Sequence, residues 1–293
     1  MNRLDAKTQK QIVACLVEGN SIRATCRMTG VAKGTVLKLL ADLGAACAAY
    51  HHANVRGLKS QRIQCDEIWS FCGKKDKQLA DDEKGKFGIG SIWTWTAIDA
   101  DSKLIVSYHV GTRDAGCAYE FMTDLAERVA HRIQLTTDGH KAYLNAVADS
   151  FGPGEVDYAM LVKLYGDTPA GAGRYSPAAC IGAKLVPISG EPDMAHVSTS
   201  FVERQNLTMR MSMRRFTRLT NGFSKKAENL SHAVALHFMH YNFCRVHQTL
   251  RVTPAMASGI ADHVWEIDEL IALMPKPAVA AWGSKKRDAA ISN

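Results

Sequence analysis

Between residues 63 and 138 three strand-like runs follow one another closely and a fourth follows a helix, an order that leaves few ways to fold. IQCDEIWSF (63–71), SIWTWTAIDA (91–100) and KLIVSYHVG (103–111) are rich in β-branched and aromatic residues. A charged loop, KKDKQLADDEKGKFG, and a turn at Asp99-Ala100-Asp101-Ser102 separate them. The amphipathic AYEFMTDLAERVAHR (118–132) then leads into IQLTTDGHKAY, a strand ending at Asp138-Gly139 with a helix behind it. Strands joined by short turns pair antiparallel, and a strand reached through a helix pairs parallel. The expected class is α/β, with a mixed sheet covered by helices on both faces.

The first of these strands carries an anomaly. Asp66 and Glu67 stand side by side inside an apolar run, and burying an unpaired carboxylate costs several kcal/mol. Strand alternation puts Glu67 with Cys65, Trp69 and Phe71, and Asp66 with Gln64, Ile68 and Ser70. The second face is the more mixed, so Asp66 is the chosen site acid. In a sheet of order 3-2-1-4-5, the strands carrying Asp66 and Asp138 are neighbours, about 4.8 Å apart. Glu203, near the start of a helix read over 201–219, would close the group. Three converging carboxylates repel unless a cation lies between them. Hard divalent ions take oxygen ligands, and two of them can activate one oxygen and stabilise another in phosphoryl transfer. On the same helix Asn206, Arg210, Arg214 and Arg218 share the direction of Glu203, a row suited to phosphates. His140, two residues past Asp138, is a candidate for positioning substrate or water.

The 293 residues carry a net charge of +7, unevenly spread. Residues 1–62 hold ten Lys/Arg against three Asp/Glu, 63–202 hold thirteen against nineteen, and 203–251 hold nine against two. Two basic blocks flanking an acidic middle point to a polyanionic partner. In the first block, apolar positions 12, 13, 16 and 17, a Ser21 cap, a Thr29-Gly30-Val31 turn and a helix near 33–49 give the layout of a helix-turn-helix. Ile22, Cys26, Val31, Val36 and Leu40 would form its core. Lys33, Thr35 and Lys38 would face a major groove. The second block adds Lys225, Lys226 and Arg245 as DNA contacts. His237, His240, Cys244 and His247 have spacings conceivable for zinc, a reading placed well behind the carboxylates. Trp69, Trp93 and Trp95 are read as sheet core.

The eight cysteines form no CxxC pair, no apolar run approaches the length of a membrane span, and the polar N-terminus has no signal core. A soluble, cytoplasmic protein with reduced thiols is expected.

QCDEIWSF, WTWTAIDADSKLIVSYHVG, LTTDGHKAY, STSFVERQNLTMRMSMRRFTRLTNGFSKK and YNFCRVHQTLRVTPAMA together resemble bacterial insertion-sequence transposases of the DDE type, nearest the insertion-sequence-one family. The resemblance covers residues 61 to about 258. It implies an RNase H-like fold and a catalytic, metal-binding triad of Asp66, Asp138 and Glu203. It implies Mg²⁺ or Mn²⁺, cleavage at terminal inverted repeats, strand transfer into target DNA, and a homodimer or higher oligomer on DNA in a bacterial, nucleoid-associated setting. The alternatives are a cutting-only nuclease and a helix-turn-helix regulator with a silent second domain. The cysteine zinc motif that many relatives carry ahead of the helix-turn-helix is missing. The expected organisation is a helix-turn-helix domain at 1–50, a linker at 51–62, a catalytic domain at 63–258 with an insertion at 152–196, and a C-terminal helix with a loose basic tail at 259–293.

Overall fold

The computed structural model describes residues 4–166, 179–217 and 220–275. It opens with three helices, α1 (Ala6–Val17), α2 (Ile22–Thr29) and α3 (Lys33–Asn54). Each boundary has a local cause. The Asp5 side chain caps α1 by accepting from Thr8 N at 2.8 Å, and Ser21 caps α2 through Ala24 N at 3.1 Å. Gly30 ends α2 in the left-handed region at φ 71°. Val36 and Leu40 are buried, and Ile22, Cys26 and Val31 pack partly buried against them.

Residues 51–54, expected from sequence as the start of a linker, belong to α3. Tyr50 packs edge-on against Phe243 and Trp265. His51 is buried, with Nε2 3.1 Å from the Ile105 carbonyl. Burial, reinforced by the Arg128 charge, pushes its pKa down to about 3. The helical region therefore shares a continuous core with the rest of the chain.

α3 packs along α7 (Ala227–Met239), and Gly44 sets how closely. A Cβ there would lie 2.5 Å from both Cβ and the carbonyl oxygen of His232. Gly→Ala in an open helix interior stabilises by roughly 0.5–1 kcal/mol. Here the overpacking term dominates, and Gly44→Ala is expected to destabilise by about 1–3 kcal/mol, read as a lower Tm. A raised Tm would mean that the two helices are not held at this distance.

The sheet has six strands in the order β3-β2-β1-β4-β5-β6. They are β1 (Arg62–Cys72), β2 (Gly90–Asp99), β3 (Ile105–Gly111), β4 (Ile133–Asp138), β5 (Val156–Tyr165) and β6 (Cys180–Ser189). β1 runs antiparallel to β2 and parallel to β4, and β4 runs parallel to β5. The first five strands have the RNase H-like order expected from sequence. Helices α4 (Ala115–Ala126) and α5 (Ala142–Ser150) cover one face, where Trp95 packs against Phe121 and Tyr143. α6 (Ser200–Ser212) and α7 cover the other, over Ile68, Ile92, Val202, Met209 and Phe238.

Two expectations are corrected. The stretch 152–196 is expected from sequence to be an insertion. It holds β5 and also β6, which pairs antiparallel with β5 and lengthens the sheet. β6 is exposed at nearly every position, so its sequence carries no in–out alternation to read. The helix expected over 201–219 stops at Ser212, and Met213 is extended. The turn lets Met213 and Phe216 bury in the core below α6, while the Thr217 hydroxyl donates to the Arg210 carbonyl at 3.1 Å, satisfying an orphan acceptor at the helix end. Short α8 (Pro254–Ala257) and α9 (Ile267–Ala272) complete the fold. Among the described residues, no helix is long and apolar enough to cross a membrane.

Candidate metal centre and nucleic-acid interface

β1 pairs with β4 only from Arg62↔Gln134 to Cys65↔Thr137. The next position sets Asp66 beside Asp138, the last residue of β4. Beyond it β1 continues with β2 alone as its long ladder partner. Two acids thus meet where the sheet opens, and oxygens of Asp66, Glu67 and Asp138 lie within 4.8 Å of one another.

Their environments differ. Asp66 Oδ1 accepts from the Glu67 amide and Oδ2 from Asn206 Nδ2, both at 2.8 Å. Burial, then the nearby Asp138 charge, pushes its pKa up to about 6. Glu67 points to the other face, where its side chain is 0 % exposed and bonds Arg113 Nη2 at 3.1 Å. Burial and Asp138 push its pKa up to about 7. Buried Tyr143 faces Glu67 on the same side and acts on its carboxyl as a hydrogen-bond donor. Asp138 Oδ1 accepts from the His140 amide at 2.9 Å, and its Oδ2 lies 3.7 Å from Arg113 Nη2. Arg113 therefore neutralises one acid while bordering a second.

Glu203 stands on the flank of this cluster. Gln64 Oε1 accepts from Phe201 N at 2.8 Å and Val202 N at 3.3 Å, which pins the start of α6 to β1. Glu203 Oε1 accepts from the Thr199 hydroxyl and pairs with Lys163 Nζ at 2.7 Å. Asn206, one turn on, is buried and reaches Asp66. It was expected to hold phosphate, but it sits behind the carboxylate. The ring of His140 packs 5.8 Å from that of Trp95, with Nε2 buried and unpartnered. Its backbone, not its imidazole, is what meets Asp138. Burial lowers the His140 pKa.

Sequence reading set Glu67 aside and missed Arg113 and Lys163. Arg113 follows β3 and carries no periodic signal. Lys163 was visible as the one cation inside the apolar run AMLVKLY. His237, His240, Cys244 and His247 form no metal cluster; among the described residues the only such group is the acidic one.

Lys33, Thr35 and Lys38 are exposed on α3 as expected, although Lys38 pairs with Asp42 at 2.7 Å. A cleft of about 800 Å³ lies between α1–α3 and the segment joining α6 to α7. Arg23, Arg27, Lys33, Arg214, Arg215, Lys225 and Lys226 line it, and none of the described residues that line it is acidic. Arg214 is in this cleft and not on α6, whereas Arg210 is on the helix. Arg245 is exposed beside a smaller cavity of about 380 Å³ that also holds Glu18 and His240. Arg218 lies outside the described residues.

No family model and no curated protein matches this chain. Among solved structures it is similar to the Mos1 strand transfer complex, with 13% identity, TM-score 0.21, and 51% of this chain and 57% of that chain covered. It is similar to a Mos1 mariner paired-end complex with Mn at 16% identity, TM-score 0.21, and 51% and 56% coverage. For a pre-cleavage Mos1 transpososome the values are 12%, 0.23, 54% and 60%. The chain spans less than two thirds of the Mos1 chains to which it is similar.

Proposed function

We propose that this protein is a DDE-type transposase, using Asp66, Asp138 and Glu203 to cut DNA at the ends of a mobile element and join those ends to target DNA. The observation that carries the reading is the register of β1 and β4, which puts Asp66 and Asp138 side by side at the open end of the sheet. α6 brings Asn206 onto Asp66, and Glu203, paired with Lys163, stands on the flank.

The donor set fits Mg²⁺ or Mn²⁺. It is all oxygen, with Asp66 and Asp138 held on strands and Glu203 on α6, and it is rich in negative charge that Arg113 and Lys163 partly offset. Asp66 and Asp138 would hold the ion, with Glu203 released from Lys163 to complete the set. Bound there, a divalent cation supplies an activated oxygen nucleophile and charge neutralisation for in-line phosphoryl transfer. Asn206 fixes the orientation of Asp66. Arg113 keeps Glu67 paired and leaves Asp138 available. Lys163, once free of Glu203, faces the phosphate. His140 holds Asp138 through its amide.

The basic cleft supports DNA as the partner. Lys33 and Thr35 with Lys38 are assigned to the terminal repeat, and Arg210, Arg214, Lys225, Lys226 and Arg245 to phosphates. Arg218 belongs to the same basic block. Cations without acids are what sequence-independent backbone binding uses. The helix-turn-helix would recognise the end, and the RNase H-like sheet would act on it. Joining two ends calls for at least two copies on DNA.

A strand-transfer assay tests this. Full-length protein is incubated with the DNA flanking its own gene and a target plasmid, in Mg²⁺ and in chelator. Joined products in Mg²⁺ alone are expected. Cutting without joining would move the assignment to a nuclease. Binding with intact DNA in both Mg²⁺ and Mn²⁺ would sink the enzyme reading in favour of a regulator.

A further inference from the structure

On the Glu67 face of β1 the next inward-pointing positions are Trp69 and Phe71, each a step of about 6.6–6.8 Å along the strand. Sequence alone read Trp69, Trp93 and Trp95 as core. That holds for Trp95, which is 0 % exposed beneath α4 and α5. Trp69 and Trp93, paired across β1 and β2, are partly exposed, and so is Phe71. Phe223 joins them from the loop after α6. Gly73 N donates to the Ser224 carbonyl at 2.9 Å in a parallel bridge with β1. That bridge sets the Phe223 ring 4.6 Å from Phe71 at 27° between planes. Trp69 lies 5.7 Å from Phe71 at 29°. Its indole N–H is oriented by Ser91 Oγ at 2.8 Å.

Cations border this row. Lys225 Nζ is 3.8 Å from the Phe223 ring centre, Lys75 Nζ is 5.5 Å from that of Phe71, and Arg113 Cζ is 4.7 Å from that of Trp93. Arg113 is the same guanidinium that bonds Glu67 and borders Asp138. The row thus begins at the Glu67–Arg113 pair, on the face opposite Asp66, and meets the site through Asp138, which Arg113 also borders, while Lys225 continues it into the basic cleft.

We propose that Trp69, Trp93, Phe71 and Phe223 form a stacking surface for unpaired DNA bases next to the phosphate held at the carboxylates. Partly exposed aromatic rings interleaved with lysines are what single-strand binding uses, because bases stack on rings while cations meet phosphates. A duplex keeps its bases stacked inside and offers nothing to the rings. The ligand is therefore a melted or extruded stretch beside the cleavage point. This inference rests on the reading of the chain as a DNA-processing protein.

The test is binding of the full chain, in chelator, to a duplex with a thymidine overhang and to the same duplex with flush ends. Trp69→Leu and Phe71→Leu are each expected to weaken overhang binding by on the order of 10-fold and to leave flush-duplex binding unchanged. Trp69→Phe, which restores a ring, is expected to recover most of the loss, and circular dichroism melting checks that each variant folds. Leucine variants that bind the overhang as the parent does would overturn the proposal while leaving the transposase reading intact. Equal weakening on both DNAs would overturn it too, because that is general loss of the interface. No DNA binding by the parent would overturn this inference and the DNA-processing reading together.

Discussion

Asp66→Asn is expected to lower metal-dependent DNA cleavage by about 10³-fold or more, and Glu67→Gln by about 10-fold. The estimate follows from the several kcal/mol of transition-state charge stabilisation that a bound metal supplies, at 1.36 kcal/mol per factor of ten. The two acids are neighbours in sequence but serve opposite faces of the sheet. Asp66 shares its face with α6, where Asn206 holds one of its oxygens. Glu67 is enclosed on the other face and already paired with Arg113. Removing the Glu67 charge frees Arg113 to close on Asp138, now 3.7 Å away, which weakens the site without removing a ligand. Asp66→Asn keeps the size and polarity of the side chain but not its charge. Single-turnover cleavage of a pre-nicked end in Mg²⁺ reads both variants apart from binding. If Glu67→Gln lost as much as Asp66→Asn, or more, Glu67, whose carboxyl lies in the same acidic group, would be the better ligand and the assignment would be exchanged. The same assay on Glu203→Gln tests whether the acid now paired with Lys163 enters the site.

What the sequence could reveal follows from where its signals are local. The relative directions of β1 to β4 were legible because turns and an intervening helix fix whether strands run antiparallel or parallel, whereas the order 3-2-1-4-5 was a supposition, since no local signal says that β4 pairs with β1. The opposite facing of Asp66 and Glu67 was legible because strand alternation is rigid. Helix caps at Ser21 and Gly30 were legible because the capping chemistry lies in the same few residues. What failed was decided by tertiary contact. α3 runs past residue 49 because Tyr50 and His51 find partners on distant segments. α6 ends early because Met213 and Phe216 gain more by turning into the core than by completing a helical stripe. Asn206 looked like a surface residue in a row with arginines, yet the closeness of α6 to β1 turns it onto Asp66. Arg113 and Lys163 could not be attached to the acids from spacing, because each arrives on a separate element.

Metal-free protein is expected to lose stability relative to an Asp66→Asn variant as pH rises from about 4 to 7.5, and Mg²⁺ is expected to restore it. Both Asp66 and Glu67 titrate higher in the folded chain, at about 6 and about 7, than their ordinary values of 3.8 and 4.5. The folded state then binds these protons more tightly than the unfolded state. Their contribution is full below the unfolded values, falls as pH passes through the folded ones, and is flat above. For Asp66 the shift corresponds to about 3 kcal/mol, and the two acids, repelling each other's charge, give less than twice that. In a chain of this size it amounts to a Tm difference of roughly 5–10 °C. Buried His51 and His237 act the other way. Their pKa values are depressed to about 3, so their stabilisation is present above the unfolded histidine value and is lost as pH falls below it. A raw Tm profile mixes the two trends below pH 6.5. The difference between parent and Asp66→Asn does not, because the histidines are common to both. That difference is expected to grow from about pH 4, mostly below pH 6, and to level off by pH 7.5. Mg²⁺ binds only the ionised acids, so its protection of the parent is expected at pH 8 and not at pH 5, and only weakly in Asp66→Asn. A parent that matched the variant at every pH, or gained nothing from Mg²⁺ and Mn²⁺ at pH 8, would show that Arg113 and Lys163 already satisfy these carboxylates and that no cation site exists between them.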